Sequence, residues 1–401
     1  MSTLQEITAN KPQQIKTKTI LAGKENGRPT KDKVNCRFTW QLENKKRQPV
    51  LYLYEHITEA DLLLTASLFE TKKMVLCISM PEWLNYPESV QKELKNFEKI
   101  WKHPYQKSQV FLRKVLAAAK DGKNIIMAVS DGLREPGQML RGKTAMIKLF
   151  RMLQMPVCAV TFAGTYRRKP FWGTQSEEAT LSGIVKPIFA QDELQNLPMH
   201  QLENLLEQAF VKERKEFYTA RKRCQGLESY LYHCPVCKEN GLIGTAADGI
   251  FCGKCGKIFQ LGADGAIYKF HGDKFMDSVY EWMDLQSRQM MRLVLKSELS
   301  RKMNAEVYEF QADKQMLLRL GKGEIHIDLS GITLTVGQIK EYHRGGALPS
   351  VGVYPFFKDG RTCVTLPFGK KVYYVMLGNA GEAGMIKDAV ETLYHMAEEM
   401  N

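Results

Sequence analysis

The fold is decided first by residues 50–64, which read VLYLYEHITEADLLL. Residues 50–54 form a short apolar run rich in strand formers, and the apolar spacing after position 60 is helical. The same alternation continues to about residue 190. Further strands are predicted at residues 74–78, 124–129 and 156–162, and helices at residues 60–68, 143–154 and roughly 88–119, the last with a break at Pro104. Such alternation predicts an α/β sheet covered by helices.

The rest of the chain changes character twice, so four segments are predicted. Residues 1–35 are rich in Lys, Gln, Thr and Asn, which predicts a flexible basic arm. An α/β domain over 36–230 follows, then a cysteine module with its connector over 231–285. Residues 286–401 predict a small β-rich domain, because apolar and polar residues alternate there before a terminal amphipathic helix.

The formal net charge of +13 and the isoelectric point near 9.1 favour partners that carry phosphate, such as anionic lipid, nucleic acid or a phosphorylated substrate. The nine cysteines follow a polar start without the apolar core of a secretory signal, which predicts a reducing compartment. No run of about 18 apolar residues occurs. We therefore expect a cytoplasmic protein that touches the inner face of the membrane peripherally.

The cysteine module has the ligand spacing of a zinc ribbon. Cys234 and Cys237 form one Cys-x-x-Cys pair, Cys252 and Cys255 form the other, and fourteen residues separate the two pairs. Four thiolates complete a tetrahedral shell and leave no open position for catalysis, so the predicted ion is a structural zinc. The missing secretory signal disfavours disulfides, whereas nucleic-acid binding is another common use of such ribbons.

A histidine followed by an aspartate stands at the first strand-to-helix junction. His56 comes directly after the strand, and Asp61 is five positions later, on the first turn of the predicted helix. An imidazole can take the proton of a hydroxyl near neutral pH, and a carboxylate on its other nitrogen fixes the tautomer. The pair therefore predicts a general base with its orienting carboxylate, although the spacing alone is common by chance.

A second polar group follows the predicted strand over 124–129. Residues 129–134 read VSDGLR, and Arg141 precedes another helix. The guanidinium of Arg134 can bind a phosphate through two parallel hydrogen bonds, and backbone amides at the helix start add to such an anion site. Taken by itself, the stretch also fits an ordinary Asp-Gly turn with a solvated arginine.

Together the two groups resemble the motifs of the glycerolipid acyltransferase family, which includes the lysophosphatidic acid acyltransferases. That family has His-x4-Asp first and Phe-Pro-Glu-Gly-Thr-Arg second. Gly132 and Arg134 match the second motif, and Asp131 stands where the family has Glu. Residues 156–164 are similar to the family's following strand and glycine. Some bacterial members also carry a similar ribbon after the catalytic domain, so the resemblance spans roughly residues 50–300.

The resemblance implies an acyltransferase-like α/β fold and an O-acyltransferase of phospholipid biosynthesis. The donor would be a fatty acyl thioester of coenzyme A or acyl carrier protein, and the acceptor a hydroxyl of a lysophospholipid or glycerol phosphate. His56 would be the general base and Asp61 would orient it. The residues that would hold the acceptor are Asp131, Gly132, Arg134 and Arg141.

Departures from the family pattern leave two alternatives open. Ser130 and Asp131 replace the Pro and Glu of the second motif, and the carboxylate of an Asp sits about 1.5 Å short of that of a Glu. A catalytically weak or inactive member that acts as a lipid- or protein-binding scaffold is one alternative. A zinc-ribbon nucleic-acid-binding protein is the other, favoured by the charge of +13 but not by any basic stripe interleaved with aromatics in the ribbon.

Overall fold

The computed structural model describes most of the chain. The described residues are 14–21, 24–25, 28–29, 33–40, 48–56, 58–69, 71–86, 88–131, 140, 142–165, 169–173, 179–210 and 222–399. The chain divides into two compact units. One comprises Met1–Lys102, Gln109–Phe171 and Glu177–Glu216, and the other comprises His103–Ser108, Trp172–Ser176 and Phe217–Asn401.

The first unit is built on an eight-stranded mixed sheet, beside which β2 and β3 pair with each other. The strands are β1 Gln14–Leu21, β2 Lys24–Glu25, β3 Arg28–Pro29, β4 Lys33–Trp40, β5 Leu51–Tyr54, β6 Met74–Ser79, β7 Glu98–Lys102, β8 Asn124–Ala128, β9 Val157–Ala163 and β10 Ala179–Phe189. The order is β1-β4-β10-β9-β5-β8-β6-β7. The block from β9 to β7 is parallel throughout, and this arrangement confirms the α/β prediction for these strands.

Helices cover both faces of this sheet. They are α1 Glu59–Ala66, α2 Met80–Asn85, α3 Glu88–Glu93, α4 Gln109–Lys120, α5 Lys143–Leu153, α6 Gln191–Asn196 and α7 Met199–Phe210. Tyr52 and Tyr54 of β5 point into the core that includes α1 to α3, and Leu51 and Leu53 point into the core that includes α4 to α7. Because a parallel sheet is covered on both faces, β5 is buried on both sides.

The prediction of a flexible arm over residues 1–35 was wrong for two segments. The structure pairs β1 with β4 in antiparallel register, and β4 joins the main sheet by pairing in parallel with β10. The sequence of β1, QIKTKTIL, alternates lysines with threonine and isoleucine. That period of two suits a strand, whereas the lysine-rich composition alone suggests a solvated tail.

The prediction of one long helix over residues 88–119 was also wrong. α3 ends at Glu93, β7 follows, and α4 begins at Gln109. β7 pairs along its whole length with β6 and buries Ile100. Its sequence, EKIWK, has three charged residues in five. Such a segment becomes a strand because a neighbouring strand is there to pair with it, a condition that no local pattern reveals.

The second unit is built from two sheets, each followed by a helix. The first sheet is an antiparallel meander of β11 Ile243–Ala246, β12 Gly249–Cys252, β13 Ile258–Leu261, β14 Ile267–Lys269 and β15 Lys274–Met276. Helix α8, Val279–Leu295, follows it. Ser278 Oγ accepts the Glu281 N–H at 3.2 Å, and Glu281 Oε2 accepts the Asp277 N–H at 2.8 Å. These bonds satisfy amides that the first turn of a helix leaves unpaired.

The second sheet is seven-stranded and antiparallel. Its strands are β16 Ser300–Gln311, β17 Met316–Asp328, β18 Gly331–Val336, β19 Ile339–Arg344, β20 Gly352–Phe357, β21 Arg361–Phe368 and β22 Lys371–Leu377, in the order β19-β18-β17-β16-β22-β21-β20. The sheet curls, since Tyr373 OH on β22 donates to Glu341 Oε1 on β19 at 2.9 Å. Helix α9, Gly381–Glu399, buries Ile386 and Ala389. The predicted β-rich region ending in a helix is confirmed.

The segment that leads into the first cysteine pair ties α8 to α9. Gln286 on α8 donates from Nε2 to the Tyr230 carbonyl at 2.6 Å and accepts the Tyr232 N–H on Oε1 at 3.2 Å. Asp388 Oδ2 on α9 accepts from Tyr232 OH and from Ser287 Oγ, both at 3.1 Å. Gln286 and Asp388 are buried, so these bonds replace water for groups that could not otherwise be satisfied. No described helix is both long and apolar enough to span a membrane.

Asp388 holds its proton more tightly in the fold than in water. Burial raises the pKa of its carboxyl from 3.8 to about 7, while Lys387 and the two hydroxyl donors act in the opposite direction. A group whose pKa is raised by folding stabilises the folded chain most at low pH. That contribution is lost as the pH rises from about 4, where the unfolded group titrates, to about 7.

We therefore expect Asp388→Asn, which keeps an oxygen acceptor but cannot ionise, to gain stability relative to the natural chain as the pH rises. The difference in the free energy of unfolding should change by about 1.4 kcal/mol per pH unit between about pH 4 and 7. Urea unfolding at a series of pH values measures it. Glu399→Gln, an exposed change on the same helix, is the control. Parallel curves for the natural chain and Asp388→Asn would contradict the prediction.

Candidate functional site

Polar side chains gather at one edge of the α/β sheet. The carboxyl ends of parallel strands lie at the same edge, which is where open α/β sheets form their sites. His56 follows β5, Glu82 lies in α2 directly after β6, Lys102 ends β7 and Asp131 follows β8. The fold therefore brings to one edge four side chains that are distant in sequence.

His56 and Glu82 form a buried pair at this edge. Nε2 of His56 lies 3.0 Å from Oε2 of Glu82, and the two side chains are 2% and 3% exposed. The backbone fixes His56, because the Glu55 N–H still bonds to the Val160 carbonyl at 3.2 Å, just beyond the end of β5. A carboxylate at this distance from a ring nitrogen holds a proton on that nitrogen.

Asp61, the predicted orienting carboxylate, lies on the first turn of α1 and is fully buried. Its Oδ2 accepts the Thr58 N–H at 2.7 Å. The carboxylate thus satisfies an amide at the helix start and faces the positive end of the helix dipole. One oxygen of Asp61 is therefore used to hold the turn that follows His56. Its orienting role towards the imidazole stays a prediction.

Tyr54 reports the electrostatics of the same region. Its ring lies edge-on to that of His56, with centroids 5.5 Å apart. Burial, followed by the charges of Glu82 and Asp61, raises the pKa of Tyr54 well above its ordinary value. Burial and then the charge of Asp61 also raise the pKa of the Cys36 thiol to about 12. The phenol and the thiol are therefore neutral, and both carboxylates act within one poorly solvated region.

The second predicted motif is only partly described. Asp131 forms an ion pair with Lys102, and both side chains are about a quarter to a third exposed. The Lys102 ammonium also lies 5.7 Å from the ring centre of Phe111. Gly132, Arg134 and Arg141 lie outside the described residues. Of the predicted acceptor site, the structure thus shows Asp131 together with a cation from β7.

Glu82 and Lys102 were missed by sequence reasoning. Glu82 comes three residues after the strand predicted at 74–78, so its place beyond a strand end was a usable signal. Lys102 gave no such signal, because β7 had been assigned to a helix. Both residues lie on α/β elements whose carboxyl ends meet the end of β5, which only the strand order reveals.

The four predicted zinc ligands come together in the second unit. The Sγ atoms of Cys234, Cys237, Cys252 and Cys255 all lie within 4.8 Å of one another. The separation is 3.8 Å between Cys234 and Cys255 and 3.7 Å between Cys237 and Cys252. A tetrahedral ion with Zn–S bonds of about 2.3 Å requires sulfurs about 3.8 Å apart. The cluster therefore fits a structural zinc ion with all four positions filled by thiolates.

The two Cys-x-x-Cys turns repeat one backbone pattern. The Lys238 N–H bonds to the Cys234 carbonyl and the Gly256 N–H to the Cys252 carbonyl, each at 3.0 Å. Lys238 and Gly256 both adopt the left-handed conformation, with φ of 65° and 64°. For Cys252, burial opposes the thiolate, but the backbone amides of Cys255 and Lys254 lower the pKa to about 7. These turns thus aim amides at sulfur, as a thiolate site requires.

The ribbon is anchored on α8 through an indole. Trp282 is fully buried, and its Nε1 donates to the His233 carbonyl at 2.8 Å, one residue before the first ligand. Its ring packs edge-on against Phe259 of β13, with centroids 5.2 Å apart. His233 itself is held by Asn240, whose Oδ1 lies 2.8 Å from Nδ1. His233 therefore supports the first turn through its backbone and is not among the clustered ligands.

Comparison with known proteins supports the ribbon. A family of zinc ribbon domains matches residues 229–261. No curated protein matches the chain. A solved structure, that of the 1-acyl-sn-glycerophosphate (LPA) acyltransferase PlsC from Thermotoga maritima, is similar at 16% identity and a TM-score of 0.31, over 44% of this chain and 73% of that chain. A likeness at that level assigns neither fold nor activity.

We expect the purified protein to contain one zinc ion per chain and Cys234→Ser or Cys252→Ser to lose it. A structural zinc contributes roughly 10 kcal/mol or more to folding, and three thiolates cannot complete its shell. Metal content by mass spectrometry and proteolysis within residues 229–261 measure the effect. Cys363→Ser, which alters a buried thiol outside the cluster, should keep its zinc. A folded natural chain without zinc would contradict the assignment.

Proposed function

We propose that the chain is an O-acyltransferase that moves a fatty acyl group from a thioester to a hydroxyl of a lysophospholipid or glycerol phosphate. One observation carries the proposal: His56 lies at the carboxyl end of a parallel strand with a buried carboxylate 3.0 Å from its Nε2. An imidazole supported in this way is a suitable base for a hydroxyl near neutral pH.

The reaction needs few groups from the protein. The imidazole of His56 takes the hydroxyl proton as the oxygen attacks the thioester carbonyl. The new C–O bond forms, the C–S bond breaks, and the leaving thiolate recovers the proton from the imidazolium. The products are an ester and a free thiol, so atoms and charges balance. Asp61 is proposed to assist His56, and the thioester is one of coenzyme A or acyl carrier protein.

The acceptor is proposed to be held by its phosphate. The groups proposed for this are Asp131, Gly132, Arg134 and Arg141. Lys102 adds a described cation at the same strand edge, where its ion pair with Asp131 leaves it partly exposed. A chain with a net charge of +13 is attracted to an anionic membrane surface, where such acceptors are found. We propose peripheral contact with that surface.

A second candidate, a lipid- or protein-binding scaffold without turnover, is favoured by one specific observation. The side chain of His56 is only 2% exposed and already faces Glu82, whereas a general base must come within about 3 Å of the proton that it takes. Catalysis would therefore require a local opening at the strand edge. A scaffold would bind the lysolipid or the thioester without that opening.

Acyl transfer from labelled acyl-CoA and acyl carrier protein to lysophosphatidic acid in anionic vesicles tests the proposal. We expect turnover by the natural chain and a loss of about 10²- to 10⁴-fold in His56→Ala, because general-base catalysis contributes about that factor. Asp61→Asn should lose activity as well, while keeping an oxygen for the Thr58 N–H.

His200→Ala, an exposed histidine on α7, is the matched control and should keep full activity. Circular dichroism and zinc content must agree among all variants. If the folded, zinc-loaded natural chain transfers no acyl group but retains labelled lysophosphatidic acid in a vesicle-binding assay, the scaffold replaces the enzyme as the better proposal.

A further inference from the structure

The carboxylate of Glu82 has no counterpart in the two sequence motifs. We propose that Glu82 is a positioning residue, whose carboxylate accepts the Nε2 proton of His56 and thereby fixes the tautomer and the orientation of the ring. The catalytic consequence rests on the proposed acyltransferase function. The state of the ring rests on the geometry alone.

The backbone leaves Glu82 little freedom to turn away. Ser79 ends β6 in an extended conformation, and α2 begins at the next residue with Pro81 in its first turn. The Glu82 carbonyl accepts the Tyr86 N–H at 2.8 Å, which holds the short helix closed. Since the side chain is 3% exposed, its carboxylate cannot exchange the imidazole for water. The pairing is therefore imposed by the end of β6.

Electrostatics explains why the pair persists. A buried carboxylate costs free energy unless a donor or a positive charge faces it. The imidazole supplies a donor when neutral and a positive charge after it accepts a proton. Glu82 keeps its negative charge throughout, and the proton taken from the acceptor stays on the ring. The arrangement stabilises the imidazolium that forms during transfer, as the buried aspartate of a catalytic triad does.

Glu82→Gln tests the inference because it keeps the shape and removes the charge. A glutamine amide can either accept from or donate to a ring nitrogen, so it no longer selects one tautomer. In protein labelled with ¹⁵N-histidine, we expect His56 of the natural chain to show a single tautomer protonated at Nε2. In Glu82→Gln we expect a mixture of tautomers and a fall in kcat on the order of 100-fold, with KM little changed.

Glu88→Gln, an exposed carboxylate on α3, is the matched control and should change neither readout. Glu82→Asp keeps the charge but withdraws it by about 1.5 Å; it should fold where Glu82→Gln does not, with a smaller fall in kcat. An unchanged tautomer and kcat in folded Glu82→Gln would overturn the inference while leaving the acyltransferase intact. A mixture of tautomers in a chain without acyl transfer would support the inference and remove the proposed function.

Discussion

The α/β sheet depends on one short strand whose position cannot vary. β5 pairs in parallel with β8 on one side and β9 on the other, and all four of its side chains are buried. A shift of one residue would exchange two tyrosines with two leucines between the two cores. Because the register is fixed, His56 emerges two residues later at a defined place on the carboxyl edge, facing the side chain that follows β6.

The buried charges at that edge are the part of the structure that packing does not explain. Glu55, His56, Asp61 and Glu82 are each at most 3% exposed. Apolar residues of similar volume are often as stable as a buried ion pair, so stability alone does not favour this set. Asp61 has a structural use as a helix cap. The carboxylate of Glu82 instead faces the imidazole of His56, and buried ionisable groups of that kind tend to mark functional sites.

Local pattern predicted the elements that carry their own signal. The zinc ligands followed from cysteine spacing, and β5, β6, β8 and β9 followed from apolar runs, because each signal lies within a few residues. Strand β7 and its Lys102 could not be predicted, since EKIWK becomes a strand only beside β6. The pairing of His56 with Glu82 depends on the strand order, which places β8 between β5 and β6. Contacts set by topology leave no periodicity in a sequence.

The segment from Tyr230 to His233 gives the zinc ion influence over residues that it never touches. The same four residues lead into the first ligand, bond to Gln286 and Asp388, and receive the indole of Trp282. Any ligand that binds only the folded state shifts the folding equilibrium in proportion to the logarithm of its free concentration. The supply of zinc in the cell would therefore regulate how much of α9 is folded, which makes a helix without any metal ligand a sensor of metal scarcity.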